Sequence, residues 1–236
     1  MIMRNRPPSD RSKSAFSLIE LLVVIAIIGI IGAFAVPAAS QLLKGSSISQ
    51  AANLLTDQTA AARQQALTRN RSIEVRFYRF GDPEQSGESA TDPNTGYFRA
   101  LQYFEIADGG IPNPVGRFVR FPNSIVMSSE PTLSSVLNDT VNHPVTQATK
   151  NDPDLPRGVG NKYSYIAFRF TPDGATNLSP TGGPSNGLWF LTCHLLNDVG
   201  RAKNGIGDNP NQVHNFFTWM IDPVSGATKV LRPGVK

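Results

Sequence analysis

The chain has 236 residues, 40% of them hydrophobic, which suits one sizeable globular domain plus an anchor and excludes a disordered chain. Its formal charge of +4 is unevenly placed: Arg4, Arg6, Arg11 and Lys13 against Asp10 put +3 on residues 1–15 and leave +1 for all the others. The remainder therefore lacks the basic face that a nucleic-acid binder needs. The single cysteine, Cys193, excludes an intrachain disulfide, and its setting in "LWFLTCHLL" makes it a buried small hydrophobe.

After the basic leader, residues 1–15, the segment from Phe16 to Ala39 is almost wholly apolar, and Leu21 to Val36 carries no polar side chain. As a helix its 24 residues would extend about 36 Å, enough to cross a hydrocarbon core of about 30 Å. Positive charge precedes it, so the leader should stay cytoplasmic and the rest of the chain should be exported. Two ordinary readings compete. A cleavable secretory signal would use small residues such as Ala33 and Ala35, or Val36 and Ala38, while a signal anchor would keep the whole span. Neither accounts for Glu20, a carboxylate near the start of the span, where a charge is costly and usually has a partner or a task.

The stretch Lys13-Ser14-Ala15-Phe16-Ser17-Leu18-Ile19-Glu20, followed by the aliphatic run, resembles the class III signal of type IV pilins and type II secretion pseudopilins. The resemblance implies that a prepilin peptidase cuts on the cytoplasmic side between Ala15 and Phe16 and methylates the new amine of Phe16. Ala15 stands where the family usually has Gly. It further implies that Glu20 aligns an incoming subunit in a growing filament. A cation about 4 Å from a carboxylate attracts it by roughly 4 kcal/mol at an effective dielectric of 20. Within one helix the Phe16 amine lies about 6 Å along the axis from Glu20, so a neighbouring subunit's amine is the better partner. A Glu20 that merely reaches up to the headgroups is the alternative. Gly29 and Pro37 match the places where pilin helices bend or melt on assembly, glycine by its freedom and proline by its missing donor.

Beyond Pro37, Ile48, Ala51, Leu55, Ala62 and Ala66 recur at helical steps with Thr59 filling the gap, so an amphipathic continuation over 40–69 is predicted, ending near Thr68. Gly45-Ser46-Ser47 should weaken it, at about 1 kcal/mol for the glycine. The Ala-rich stripe suits close packing on a sheet. Then the period changes. In "SIEVRFYRF", Ile73, Val75 and Phe77 alternate with Glu74, Arg76 and Tyr78, a half-buried strand. "GYFRALQYFEI", "GRFVRFP", "SIVMS", "YSYIAFRF", "LWFLTCHL" and "NFFTWMID" follow as strands, separated by turn signals at Asp173-Gly174, Asn186-Gly187 and Ser225-Gly226. One long helix followed only by strands predicts an α+β fold, a pilin-like long N-terminal helix on an antiparallel sheet, with residues 70–236 as a periplasmic β-rich domain. "AARQQALTRNRSIEVRFY", "YIAFRFTPDGATN" and "WMIDPVSGATKVLRP", with its turn glycine Gly226, resemble the GspH/FimT-like minor pseudopilins. Residues near 81–95 and 130–160, rich in Pro, Asn, Asp and Ser, read as long surface loops.

Chemistry-bearing constellations are absent from the sequence. His143, His194 and His214 form no zinc spacing, no hydrolase elbow, Walker loop or dinucleotide fingerprint occurs, and no cofactor is expected. Asp82, Glu84, Glu88 and Asp92 offer oxygen atoms of the kind Ca²⁺ uses, without EF-hand spacing, so a solvated acidic loop is the reading preferred over a metal. Some members of the resembling family bind DNA during uptake, and their basic C-terminal segment would correspond to Lys229, Arg232 and Lys236. Three cations supply only a weak, salt-sensitive phosphate contact. The expectation is a structural subunit rather than an enzyme. Its partners would be other pilin or pseudopilin subunits, the prepilin peptidase, an inner-membrane assembly platform and membrane lipid. It would be a single-pass protein of the bacterial inner membrane with its C-terminal domain in the periplasm. The alternatives are a DNA-uptake pilin and a simple anchored periplasmic domain.

Overall fold

The computed structural model describes residues 17–85, 88, 92–93, 95–138, 143–150, 152–181, 187–196 and 215–232, without the side chains of 34–42. The chain divides into two compact units, Met1–Leu43 and Lys44–Lys236, a boundary four residues past the predicted end of the apolar span at residue 39. The one helix among the described residues, α1 (Leu18–Arg69), runs unbroken through Gly29, Pro37 and the Gly45-Ser46-Ser47 stretch expected to weaken it.

In the second unit α1 buries the stripe expected of it: Ile48, Ala51, Leu55, Thr59, Ala62 and Ala66, joined by Ala52. Thr59 can sit in that stripe because its hydroxyl donates to the Leu55 carbonyl at 2.8 Å, so no polar atom there is stranded. The helix stops at a left-handed Asn70, φ 52°, and the Arg71 N–H returns to the Ala66 carbonyl at 3.4 Å, closing the last turn.

Among the described residues ten strands follow: β1 (Ile73–Phe80), β2 (Tyr97–Ile106), β3 (Pro112–Pro114), β4 (Val119–Arg120), β5 (Ile125–Met127), β6 (Thr146–Gln147), β7 (Ser164–Phe170), β8 (Trp189–Leu195), β9 (Phe216–Ile221) and β10 (Thr228–Leu231). They form one antiparallel sheet in the order β10-β9-β8-β5-β2-β1-β7-β6, with β3 and β4 both paired to β2. The predicted α+β architecture is therefore the observed one. Of "GRFVRFP" only Val119 and Arg120 pair, while β3 and β6, one framed by prolines and the other two residues long, have no alternation to betray them.

The main core lies between α1 and the sheet. Ile73, Val75 and Phe77 of β1 meet Ile166, Phe168 and Phe170 of β7, with Trp189, Leu191, Phe217 and Trp219 extending the layer. The opposite face departs from expectation. Glu74, Arg76 and Tyr78, predicted to face solvent, are buried, and a second cluster of Tyr78, Phe80, Ala100, Phe104, Leu155, Val159 and Tyr163 covers that side. Leu155 and Val159 belong to the stretch near 130–160 that reads as a surface loop, and Val136 and Leu137 of the same stretch enter the main core. Its Pro, Asn, Asp and Ser content dictates irregular backbone, and the scattered apolar residues still bury.

Burial on both faces requires charges inside. The Arg76 guanidinium lies between the rings of Phe104 and Tyr165, 4.3 and 4.4 Å from their centroids, and its Nε donates to Glu74 at 2.7 Å. Glu74 also accepts from Arg169 Nε at 2.9 Å, tying β1 to β7. A second network fastens the acidic stretch near 81–95. Fully buried Asp82 accepts from Arg99 Nη1 at 3.3 Å, from Arg120 Nη2 and from the Glu84 N–H at 3.1 Å. Glu88 accepts from Arg99 Nη2 at 2.7 Å and from the Asp82 N–H at 3.0 Å. Glu84 pairs with Arg157 at 3.2 Å. Asp82 and Glu88, which read as part of a solvated acidic loop, are in fact bound to two sheet arginines.

Two glycines join the hairpin after β7 to the β9–β10 hairpin. Gly174 and Gly226 have φ of 83° and 66°, a Cβ on Gly226 would overlap the Gly174 carbonyl oxygen, and Arg63 of α1 donates from Nε to that same oxygen at 3.1 Å. Gly226→Ala should therefore combine left-handed strain with a backbone clash, costing about 2–3 kcal/mol and lowering Tm by roughly 5–10 °C in a thermal melt. Asp82→Asn leaves Arg99 and Arg120 in excess inside the protein. The expected loss is about 3–5 kcal/mol, read as a lower denaturant midpoint together with new protease cleavage between residues 81 and 95.

Candidate functional site

The first turn of α1 holds the misfit carboxylate. The first four N–H groups of any helix lack partners within it. Here Ser17, the residue before Leu18, accepts the Glu20 N–H on its hydroxyl oxygen at 3.2 Å, and the Glu20 Oε2 accepts the Ser17 N–H at 3.3 Å. This reciprocal pair is a capping box, and a carboxylate in the first turn also meets the positive end of the helix dipole. Ser17 is the functional residue that sequence reasoning missed. Its signal, Ser-x-x-Glu directly before an aliphatic run, was present in the sequence but obscured by the charge of Glu20.

From Leu18 to Ile31 the aliphatic side chains are exposed on consecutive positions, Leu18 at 82%. Leu21, Leu22, Val23, Val24 and Ile25 alone go round more than a full turn, so this is an all-round apolar surface and not a stripe. In water such a surface is untenable, and it calls for lipid or other protein. A Cβ on Gly29 would meet nothing within 4 Å, so this glycine is not required by packing within the chain. Among the described residues no helical stretch is by itself long and apolar enough to cross a membrane. The predicted span, 16–39, reaches beyond them at both ends: Phe16, and the side chains of 34–39 including Pro37, lie outside the described residues, as does Ala15.

Of the C-terminal cations, Lys229 and Arg232 are not brought together. Strand alternation sends Lys229 and Arg232 to opposite faces of the β10 end of the sheet: Lys229 lies opposite Met220, and Arg232 donates from Nη1 to Ser49 of α1 at 3.0 Å. Lys236 lies outside the described residues. Cys193 is buried in the main core, and that burial pushes its thiol well up. His194 is buried, and His143 is buried edge-on to Trp189 at 6.2 Å. His214 lies outside the described residues. Among the described residues no group of three or more His, Cys, Asp or Glu is placed to hold a metal. A polar cavity of about 410 Å³ lies over Glu74, Arg76, Thr146, Tyr165 and Arg169, and its charges are those of the ion pairs already described.

The profile of the prokaryotic N-terminal methylation motif matches residues 10–36. Among curated proteins none matches the chain significantly. Two solved structures share a loose likeness. The minor pseudopilin EpsH from the type 2 secretion system of Vibrio cholerae is 8% identical over 80% of this chain and 99% of that one, with a TM-score of 0.39. The type IV minor pilin FimU of Pseudomonas aeruginosa strain PAO1 is 11% identical over 80% of this chain and 90% of that one, with a TM-score of 0.38. Likenesses of that size leave the argument to the motif and the helix mouth. The chain thus carries a prokaryotic N-terminal methylation motif over the residues that hold the Ser17–Glu20 cap and the all-round aliphatic surface, ahead of an α+β domain.

Proposed function

We propose that this chain is a pilin-like structural subunit of a type II secretion or type IV pilus-like filament, most like a minor pseudopilin. The single observation carrying the reading is the methylation motif over residues 10–36, which encloses the junction Ala15-Phe16 and Glu20. In this reading the prepilin peptidase cuts before Phe16 and methylates it. The aliphatic half of α1 holds the subunit in the inner membrane with its β domain in the periplasm. The assembly platform then adds it to neighbouring pilin subunits, among which the same apolar surface packs. Gly29 and Pro37 are the places where the helix yields on assembly. The chain performs no catalysis of its own.

Glu20 is the assembly contact. Its cap with Ser17 uses neutral donors and leaves the full negative charge in place, so a neighbour's Phe16 amine still gains by approaching it. The DNA-uptake reading loses its geometric support, because Lys229 and Arg232 face apart.

Mass spectrometry of membrane-extracted protein should find a mature chain beginning at a methylated Phe16 and still partitioning with the membrane. A soluble protein starting near Val36 or Ser40 would mean an ordinary secretory signal and would end this reading. Two substitutions separate the roles of Glu20. Gln also closes a capping box, so Glu20→Gln keeps the cap and removes only the charge. Loss of one partner of a poorly solvated ion pair costs about 3–5 kcal/mol, so crosslinking into filaments should fall by roughly a hundredfold or more at equal processing and abundance. Ser17→Ala removes the cap, worth about 1 kcal/mol, and keeps the charge, so it should lower incorporation by only a few-fold. If Ser17→Ala were the more damaging of the two, Glu20 would be a helix cap and not the assembly contact.

A further inference from the structure

β10 ends the sheet: it pairs with β9 on one side, and among the described residues no strand pairs with it on the other. The register determines which of its backbone groups point outward. The Asp222 N–H donates to the Ala227 carbonyl at 2.9 Å, so these two residues form a hydrogen-bonding pair. Bonding and non-bonding pairs alternate along antiparallel strands. Lys229 and Leu231 therefore bond back to Met220 and Thr218, while Thr228 and Val230 turn their N–H and C=O away from β9. The far side of β8 keeps the same phase: the Phe190 and Thr192 carbonyls, opposite Met220 and Thr218, accept from the Ser135 and Ser128 N–H groups at 2.9 Å each.

Beside this edge runs an apolar groove of about 460 Å³ whose lining includes Leu188, Met220, Val224, Ala227 and Lys229. Leu188, Val224 and Leu231, exposed at 59, 67 and 41%, are three of the five exposed large apolar side chains outside α1 among the described residues. Leu188, Met220, Lys229 and Leu231 share one face by register, opposite the face on which Val230 packs into the main core. Asp222, held by the Ser225 hydroxyl at 2.8 Å and the Val224 N–H at 3.0 Å, keeps its negative charge at the turn end of the groove, and Lys229 supplies the positive charge along the edge strand itself.

We propose that the outer edge of β10 receives an extended segment of a partner chain as a further strand, with alternate apolar side chains over the groove and a carboxylate facing Lys229. Outward backbone groups recognise extended backbone of any sequence, and a period of two sends every second side chain of the added strand toward the groove. Lys229 decides between occupants. A second copy pairing edge to edge with Thr228 opposite Val230 would bring Lys229 against Lys229, the like-charge device that protects exposed edges from self-association. A strand that sets its carboxylate opposite Lys229, away from Asp222 at the turn, gains an ion pair there instead. This surface belongs to the β domain and stands whether or not the N-terminal reading holds.

The test uses the full chain in detergent micelles and two synthetic heptapeptides, Thr-Val-Thr-Asp-Thr-Val-Thr and the same peptide with Lys in place of Asp. The Asp peptide should slow hydrogen exchange at the Thr228 and Val230 amides and bind up to about fivefold more tightly than the Lys peptide, the scale of one solvent-exposed ion pair. Lys229→Glu, at an exposed position, should invert the preference while leaving the melt unchanged. Equal binding of both peptides to both proteins would reduce the groove to unspecific apolar adhesion and overturn the proposal. Protection confined to other strands, or slow exchange at the same two amides that rises with protein concentration in the absence of peptide, would overturn it as well, the last by making a second copy the occupant.

Discussion

The second half of α1 comes down onto the sheet because its facing side chains are small. Ala51, Ala52, Ala62 and Ala66 leave room for the large rings beneath them, and Phe77, Phe168, Phe170 and Trp219 fill it, with Phe168 edge-on to Phe170 at 5.2 Å between centroids. Larger residues on that stripe would lift the helix and open the core to water. The Schellman turn at Asn70 then redirects the chain straight into β1, the strand that pairs with both β2 and β7. Helix packing and sheet order thus meet in one shared core and a single turn.

With one face of the sheet committed to α1, the other has to be covered by irregular chain, and irregular chain brings polar groups. The protein resolves this with arginines whose flat guanidinium groups serve as both packing surface and donors. Arg76 stacks between two rings while bonding Glu74, and Arg99 reaches both Asp82 and Glu88 with its Cζ 5.7 Å from the Phe80 centroid. Each buried carboxylate meets at least one of these cations, and that is the condition under which buried charge is tolerable at all. The same networks hold the long connections against the sheet.

The first half of α1 obeys a different rule. Aliphatic side chains on every azimuth give it no inward side, so no described part of the chain buries it, and its surroundings must come from lipid or from other protein. Glu20 is compatible with such surroundings only through its partners. The Ser17 cap orders the helix start, and a carboxylate capped by neutral donors still carries a charge in search of a cation. In the proposed filament, a subunit whose N-terminus must find the next subunit's carboxylate would use that residual attraction.

Period and spacing were enough to read the long helix, the stripe from Ile48 to Ala66, seven of the strand segments and the motif around Glu20, because each is a property of neighbours along the chain. The Ser17 cap was equally local. The partners of Asp82 could not be read in this way: Arg99 and Arg120 lie 17 and 38 positions away, and only the pairing of β2 with β4 sets them side by side. Nor could the burial of Glu74 and Arg76, since alternation tells which residues share a face of a strand and not whether a distant loop will cover that face. The separation of Lys229 from Arg232 follows from register, and the lack of a described strand on the outer side of β10 from strand order. What the sequence by itself determined was the local geometry of the long helix and the alternating strands, and the charge at the helix mouth. Which polar residues were drawn inside, and which edge was left open, was decided by long-range strand pairing, because burial depends on what the rest of the chain places above a residue.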